Sequence, residues 1–243
     1  MAATLFGVPA SHPALAAELI LRHKGIEYRR VDFVAGLHRV LLRALGFPGV
    51  TVPALLLDGI HLQGTRRIGL ALDALRPEAP LIPREPSLRK AVLRAETWAD
   101  EILQPVPRRL VPASLRRNRS TLATYLEDAR LGIPPSLAAR AAAPVVLLQT
   151  RLNRADDDAV RRDLVALPRL IDRVDGLLAE GVIGGPERNL ADYQIATSVA
   201  LLMTMDDIRP LIEERPAAAH AREVVVRYPG RVPRTLPAAW VPA

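Results

Sequence analysis

The sequence contains no cysteine. That absence excludes a disulfide framework, a thiolate nucleophile and any cysteine metal site. Lysine is almost missing as well: of the 33 basic side chains, all but Lys24 and Lys90 are arginine. With abundant Ala, Pro and Leu, this reads as the compositional bias of a genome. No apolar run reaches the roughly 18 residues needed to span a bilayer. The opening MAATLFGVPASHPALAAELIL lacks the positive n-region of a secretion signal and is interrupted by His12, Pro13 and Glu18. A cytoplasmic location with no membrane partner is the expectation.

What is present is an ordinary globular composition, 49% hydrophobic over 243 residues, enough for one or two domains with real cores. The net charge of +7 invites a nucleic-acid reading. The densest basic cluster is Arg108, Arg109, Arg116, Arg117 and Arg119. It has no interleaved aromatics for base stacking, and no zinc or RNA-binding motif accompanies it. A solvated face is the better reading, and no specific nucleic-acid partner is expected. Asp156-Asp157-Asp158 lacks the glycine and terminal glutamate of a calcium loop. It reads as the acidic start of a helix, and no metal site is expected.

The stretch from Phe47 to Leu75 organises the rest. Ala54–Leu57 is a short apolar strand, Asp58-Gly59 is a two-residue hairpin turn, and Ile60–Leu62 returns antiparallel. Thr65 reads as the N-cap of a helix striped by Ile68, Leu72 and Leu75. Pro53 belongs at a strand start, edge or bulge because it cannot donate to a ladder; its bond to Val52 is either an ordinary trans bond or a cis one. Upstream, Thr4–Val8 is a strand, Ala14–Lys24 a helix closed by Gly25, Ile26–Phe33 a second strand, and Leu37–Leu45 a short helix. The order is β-α-β-α-β-β-α, with the first two strands parallel. Prolines 77, 80, 83 and 86 suit a polyproline-like linker. Beyond it the sequence predicts only helices: 87–104, 119–131, 135–153, 157–180, 189–205 and 216–228. Prolines 105, 107 and 112 break the first of these, and Pro168 is expected to start or kink a helix rather than sit in its middle.

Val52-Pro53-Ala54-Leu55, then Asp58-Gly59, then the Thr65 helix start resemble the second half of a glutathione-transferase thioredoxin-like domain. Gly184-Gly185-Pro186 followed by Asn189-Leu190-Ala191-Asp192 is similar to the family's N-capping box, with Asn189 as cap and the Asp192 carboxylate reaching back. The resemblance covers nearly the whole chain and points to a divergent bacterial member. It implies a thioredoxin-like α+β domain over 1–76 with a mixed four-stranded sheet, a linker over 77–86, an all-helical domain over 87–228 and a Pro-rich surface tail over 229–243, anchored by Trp240. It implies a cis Val52–Pro53 bond and a thiol transferase or detoxifying enzyme. The cosubstrate would be glutathione or another low-molecular-weight thiol, acting on a small electrophile in a homodimer with no permanent cofactor. The alternative is a binding or structural module that kept the fold without the chemistry.

The resemblance also assigns residues. Ser11 takes the position that contacts the thiol sulfur; read from the residues alone it is an N-cap serine, and the two roles can coexist. Val52, Pro53, Gly64, Thr65 and Arg66 line the cosubstrate, with Thr65 as cap and carboxylate donor and Gly64 where the family carries Glu or Gln. Trp98 falls in the substrate pocket, and His12, beside Ser11, is read from the residues as a general base or anion contact in the same pocket. Judged alone, His12 is an exposed turn histidine and Trp98 a core or interface tryptophan. Asn189 and Asp192 are structural.

Overall fold

The computed structural model describes residues 2–130 and 142–242. It opens with β1 (Ala3–Gly7), α1 (His12–His23), β2 (Arg29–Asp32), α2 (His38–Ala44), β3 (Ala54–Leu57), β4 (Ile60–Gln63) and α3 (Thr65–Leu75). The strands form one mixed sheet in the order β2-β1-β3-β4. β1 runs parallel to β2, because α1 carries the chain back over the sheet, and antiparallel to β3. β3 and β4 form the tight hairpin, with Asp58 and Gly59 both at positive φ, 46° and 86°. β2 is shorter than the predicted 26–33. Gly25 ends α1 in a left-handed conformation and the Ile26 N–H bonds back to Leu21, so Ile26 still belongs to the helix terminus.

One face of the sheet buries Leu5 and Leu55 against Ala16, Ala17, Ile20 and Leu21 of α1 and against Ile68 and Leu72 of α3. Each such side chain contributes about 1.5–3 kcal/mol by leaving water. The other face holds a small cluster of Phe6, Leu42, Phe47 and Ala54, with Val52 packed at its edge. Phe6 stacks on Phe33 and meets the edge of Phe47, at 5.4 and 5.7 Å between ring centres.

The rest is helical: α4 (Pro86–Trp98), a π-helical turn (Ala99–Leu103), α5 (Pro105–Arg117), α6 (Leu122–Tyr125), α7 (Ala142–Leu152), α8 (Asp157–Ala179), α9 (Leu190–Leu202) and α10 (Pro216–Val224). Of the helix predicted over 135–153, residues 135–141 lie outside the described residues. Three sequence expectations fail here. The proline stretch at 105–112 is itself helical. Pro105 and Pro107 occupy the first turn, where an N–H has no intrahelical partner to lose. Pro168 sits inside α8. Val160, Leu164, Leu167, Ile171, Val174 and Leu177 are all at most 1% exposed, and their burial at about 1.5–3 kcal/mol each exceeds the roughly 3 kcal/mol cost of an interior proline. Of the predicted 119–131 helix, the described residues 119–130 form only a 3-10 turn and α6. There the hydroxyls of Ser120, Thr121 and Thr124 bond to Asn118 and Thr121 oxygens, competing with the helical ladder.

The two regions are fastened together. Gly69 of α3 faces Leu190 of α9 so closely that a Cβ on Gly69 would lie 2.5 Å from the leucine side chain. Leu81 and Ile82, between Pro77 and Pro86, are buried, and the Leu81 carbonyl accepts from the Leu190 N–H at 2.9 Å. Lys24, its side chain fully buried, donates to Asp73 Oδ1 at 2.6 Å and to the carbonyls of Arg76, Glu78 and Ala79. Among the described residues no helix is long and apolar enough to cross a membrane.

Candidate functional site

The turn between β1 and α1 is held in an unusual shape. Ala10 has φ 55°, a left-handed conformation costing a non-glycine residue about 1–2 kcal/mol. Its carbonyl accepts from the hydroxyl of the half-buried Tyr228 at 2.7 Å, and desolvation pushes that phenol well above its ordinary pKa. A residue near the far end of the chain therefore fixes this turn. Ser11 follows as the N-cap of α1, its Oγ accepting the Ala14 N–H at 3.3 Å. Used only as an acceptor, the hydroxyl keeps its own hydrogen for a further partner.

His12 is not the exposed turn residue its position alone suggests. It is 2% exposed, and its Nε2 has no hydrogen-bond partner among the described residues. Desolvation first, then the charge of Arg108, holds its pKa down at about 3, partly offset by the Gln104 backbone. The imidazole is neutral throughout the physiological range and a weak base there.

Val52 lies on the far side of the same cleft. Its bond to Pro53 is cis, and among the described residues its backbone N–H and C=O have no backbone partner. The loop carrying it is clamped from β4 by one side chain. Gln63 accepts the Gly49 N–H at 2.8 Å and donates to the Thr51 carbonyl at 2.7 Å. Gly49 is needed for this approach, because a Cβ there would come within 2.6 Å of the Gln63 amide.

Thr65 departs from its expected role. Gly64, at φ 87° and ψ 144°, occupies the N-cap, in a region that glycine alone adopts freely. Thr65 is the first helical residue and is buried, and its hydroxyl donates to the Pro13 carbonyl at 3.2 Å. The hydroxyl ties α3 to α1 and has no proton left for a ligand carboxylate. Since Gly64 has no side chain, the backbone N–H groups at the start of α3 are not capped by a side chain. Arg66 also turns away: it pairs with the Glu96 carboxylate at 2.8 Å and with the Thr97 hydroxyl. Glu96 is 1% exposed, and burial outweighs the Arg66 contact to push its carboxyl up to about 7.

Ser11, His12 and Val52 thus meet in one cleft of about 320 Å³. Its other wall is α5 and its neighbours, including Pro107, Arg108, Val111, Leu115 and Leu126. No acidic side chain lines it among the described residues, whereas Arg39 and Arg108 do. Trp98 and Arg66 line a separate groove along α4, with Arg89 and Arg94, and so lie outside this cleft. Pro53, Gly64 and Thr65 are not among the residues lining this cleft; Pro53 and Thr65 are buried and Gly64 is half-buried. Asn189 and Asp192 form a reciprocal capping box at the start of α9: Asn189 Oδ1 accepts from the 191 and 192 N–H groups, and Asp192 Oδ2 accepts from the Asn189 N–H at 2.7 Å. The other Asp192 oxygen accepts from Gly184 N–H. Arg108, Gln63 and Tyr228 escaped the sequence reading. Arg108 figured there only as part of the basic cluster read as a solvated face.

A mixed sheet with flanking helices, followed by helices that close a cleft over the first helix and a cis-proline loop, is the glutathione-transferase architecture. Residues 5–80 match the family model of the glutathione S-transferase N-terminal domain. The chain thus carries the sequence signature of a glutathione S-transferase N-terminal domain over residues 5–80, and over nearly its whole length it shares the fold of glutathione S-transferase structures. Similar solved structures include FzlA from C. crescentus, at 18% identity over 93% of each chain and a TM-score of 0.57. The beta-etherase LigF from a Sphingobium species is 18% identical over 93% of this chain and 100% of that one, with a TM-score of 0.59. A glutathione S-transferase from Sinorhizobium meliloti is 17% identical over 96% of each chain, with a TM-score of 0.60. No curated protein sequence matches the chain.

Proposed function

We propose that the cleft binds a low-molecular-weight thiol, glutathione or a substitute, and transfers it to a small electrophile. The observation that carries this reading is the pairing of a Val52 backbone that has no protein partner among the described residues with a Ser11 hydroxyl that still has a proton to give. An extended peptide-like thiol hydrogen-bonds to Val52 in antiparallel fashion, as a strand would. Its sulfur then lies by Ser11 at the positive end of α1. There the hydroxyl donates to the thiolate and lowers its pKa. A shift of one to two units is worth about 1.4–2.7 kcal/mol of preferential stabilisation of the charged form. The thiolate forms the new bond to carbon, the leaving group departs with its electron pair, and the thiol proton passes to solvent. A terminal carboxylate of the thiol meets the uncapped N–H groups of α3 rather than the Thr65 hydroxyl.

The reading extends to the molecule: two domains divided near residues 76–86, a homodimer, and a cytoplasmic detoxifying role. One observation favours a second reading, a binding module without chemistry: Gly64 offers no side chain and Thr65 is committed to Pro13. Conjugation of a generic aromatic electrophile, run with glutathione and with other small thiols, separates the two. Thiol-dependent turnover above the uncatalysed rate is the expected result. No turnover with any thiol leaves the binding module.

A further inference from the structure

We infer that the second substrate of this cleft is an amphipathic anion, with an apolar body held by the helical wall and an acidic group paired with Arg108. The inference rests on the thiol-transfer reading for its chemistry but on separate residues for its argument. The arginines of α5 divide by what they face. Arg109 makes a two-pronged pair with Asp163, at 2.5 and 2.7 Å. Arg116 and Arg117 share Asp157, at 2.6 and 2.9 Å. Arg108 turns into the cleft instead. Its side-chain contact there is the neutral Gln104 amide oxygen at 3.2 Å, and no carboxylate lies within ion-pair distance of it among the described residues.

The Arg108 side chain is exposed and, among the described residues, has no carboxylate partner to occupy it. It shares the cleft lining with the apolar Pro107, Val111, Pro112, Leu115 and Leu126. Desolvation lowers its pKa, the charge of Asp100 works against that, and the neighbouring Arg109 adds to it. The Asp100 carboxylate is engaged with the Gln104 and Gln194 amides. His12 is neutral and does not compete for an anion. A guanidinium in an apolar wall, with its fork open, fits a carboxylate, sulfonate or phosphate carried on a hydrophobic body. A purely apolar electrophile fills the wall and leaves the charge unmet; an anion satisfies both.

The test uses the whole chain and a matched pair of electrophiles, 4-chloro-3-nitrobenzoate and 4-chloro-3-nitrobenzamide, each with a thiol and each corrected for its uncatalysed rate. In both the thiolate sulfur bonds to the ring carbon and chloride leaves with the pair. Beside it, thiol-free calorimetry compares 2-naphthoate with 2-naphthamide. The inference predicts about a tenfold or greater preference for the acid in kcat/KM and in affinity, reduced by added salt. Arg108→Gln should abolish the preference, and Arg108→Lys should keep part of it. Equal handling of acid and amide, or a preference untouched by Arg108→Gln, overturns it even when thiol turnover is present. Arg108-dependent naphthoate binding with no turnover from any thiol upholds the anion site and removes the thiol-transfer reading instead.

Discussion

The Ser11 hydroxyl accepts the Ala14 N–H and retains a proton to donate, so its two roles separate by substitution. Ser11→Ala should cost about 1 kcal/mol of stability as a lost cap and lower thiol turnover about 10- to 100-fold, with thiol binding nearly intact. Ser11→Asp keeps a capping oxygen but has no proton to give, so it should keep the melting temperature and lose the turnover. Steady-state rates and melting curves of the two variants check this, and full activity in Ser11→Asp would reduce Ser11 to a cap. Two buried groups set opposing pH slopes. His12 is held at about 3 against an ordinary 6.5, so its contribution is complete above pH 6.5 and is lost as pH falls toward 3. Glu96 is pushed up to about 7 from 4.5, so its contribution is complete below pH 4.5 and is lost as pH rises through 7. Between pH 4.5 and 6.5 the slopes oppose, each at most about 1.4 kcal/mol per pH unit. Over that window Glu96→Gln should lose stability on acidification relative to the native chain, and His12→Gln should gain. Urea unfolding at three pH values measures both, and curves parallel to the native one would contradict the assignment.

At the scale of elements, the site depends on loops fastened from a distance. Gln63 grips both sides of the Val52 loop, so Gln63→Leu should raise the thiol KM about tenfold through two lost hydrogen bonds while changing kcat little. A change confined to kcat would place the defect elsewhere. Lys24→Met strips a buried ammonium from Asp73 and three carbonyls, and should cost about 3–5 kcal/mol in urea unfolding. A loss below about 1 kcal/mol would mean that the strap is dispensable. These fastenings explain what the sequence could and could not show. The hairpin turn and the short strands were legible because Asp58-Gly59 and the apolar runs act locally. The proline-bearing α5 and α8 were misjudged because proline's cost is local while the compensating burial is tertiary. Thr65 was misassigned because Gly64 takes the cap in a conformation that no side-chain pattern announces, leaving the hydroxyl to find Pro13 across the fold.

For the molecule as a whole, the sheet and the helical region meet along α1 and α9, and the cleft lies where β1, the Val52 loop and α5 converge. The order of elements was legible because each helix or strand writes its own period. The cleft's chemistry was only half legible. Ser11 and Val52 stand near recognisable motifs, but Arg108 and Tyr228 reach the cleft from other parts of the chain, and nothing in their local sequence marks them. The account's central claim is that this cleft holds a thiol against Ser11 and favours its charged form. The ultraviolet absorbance of thiolate tests it most directly, followed against pH for glutathione and for other small thiols bound to the native chain and to Ser11→Ala. The account predicts a bound-thiol pKa about one to two units below the free value, with most of that shift absent in Ser11→Ala. A bound thiol that titrates as it does in free solution, or no saturable binding of any thiol, would contradict it.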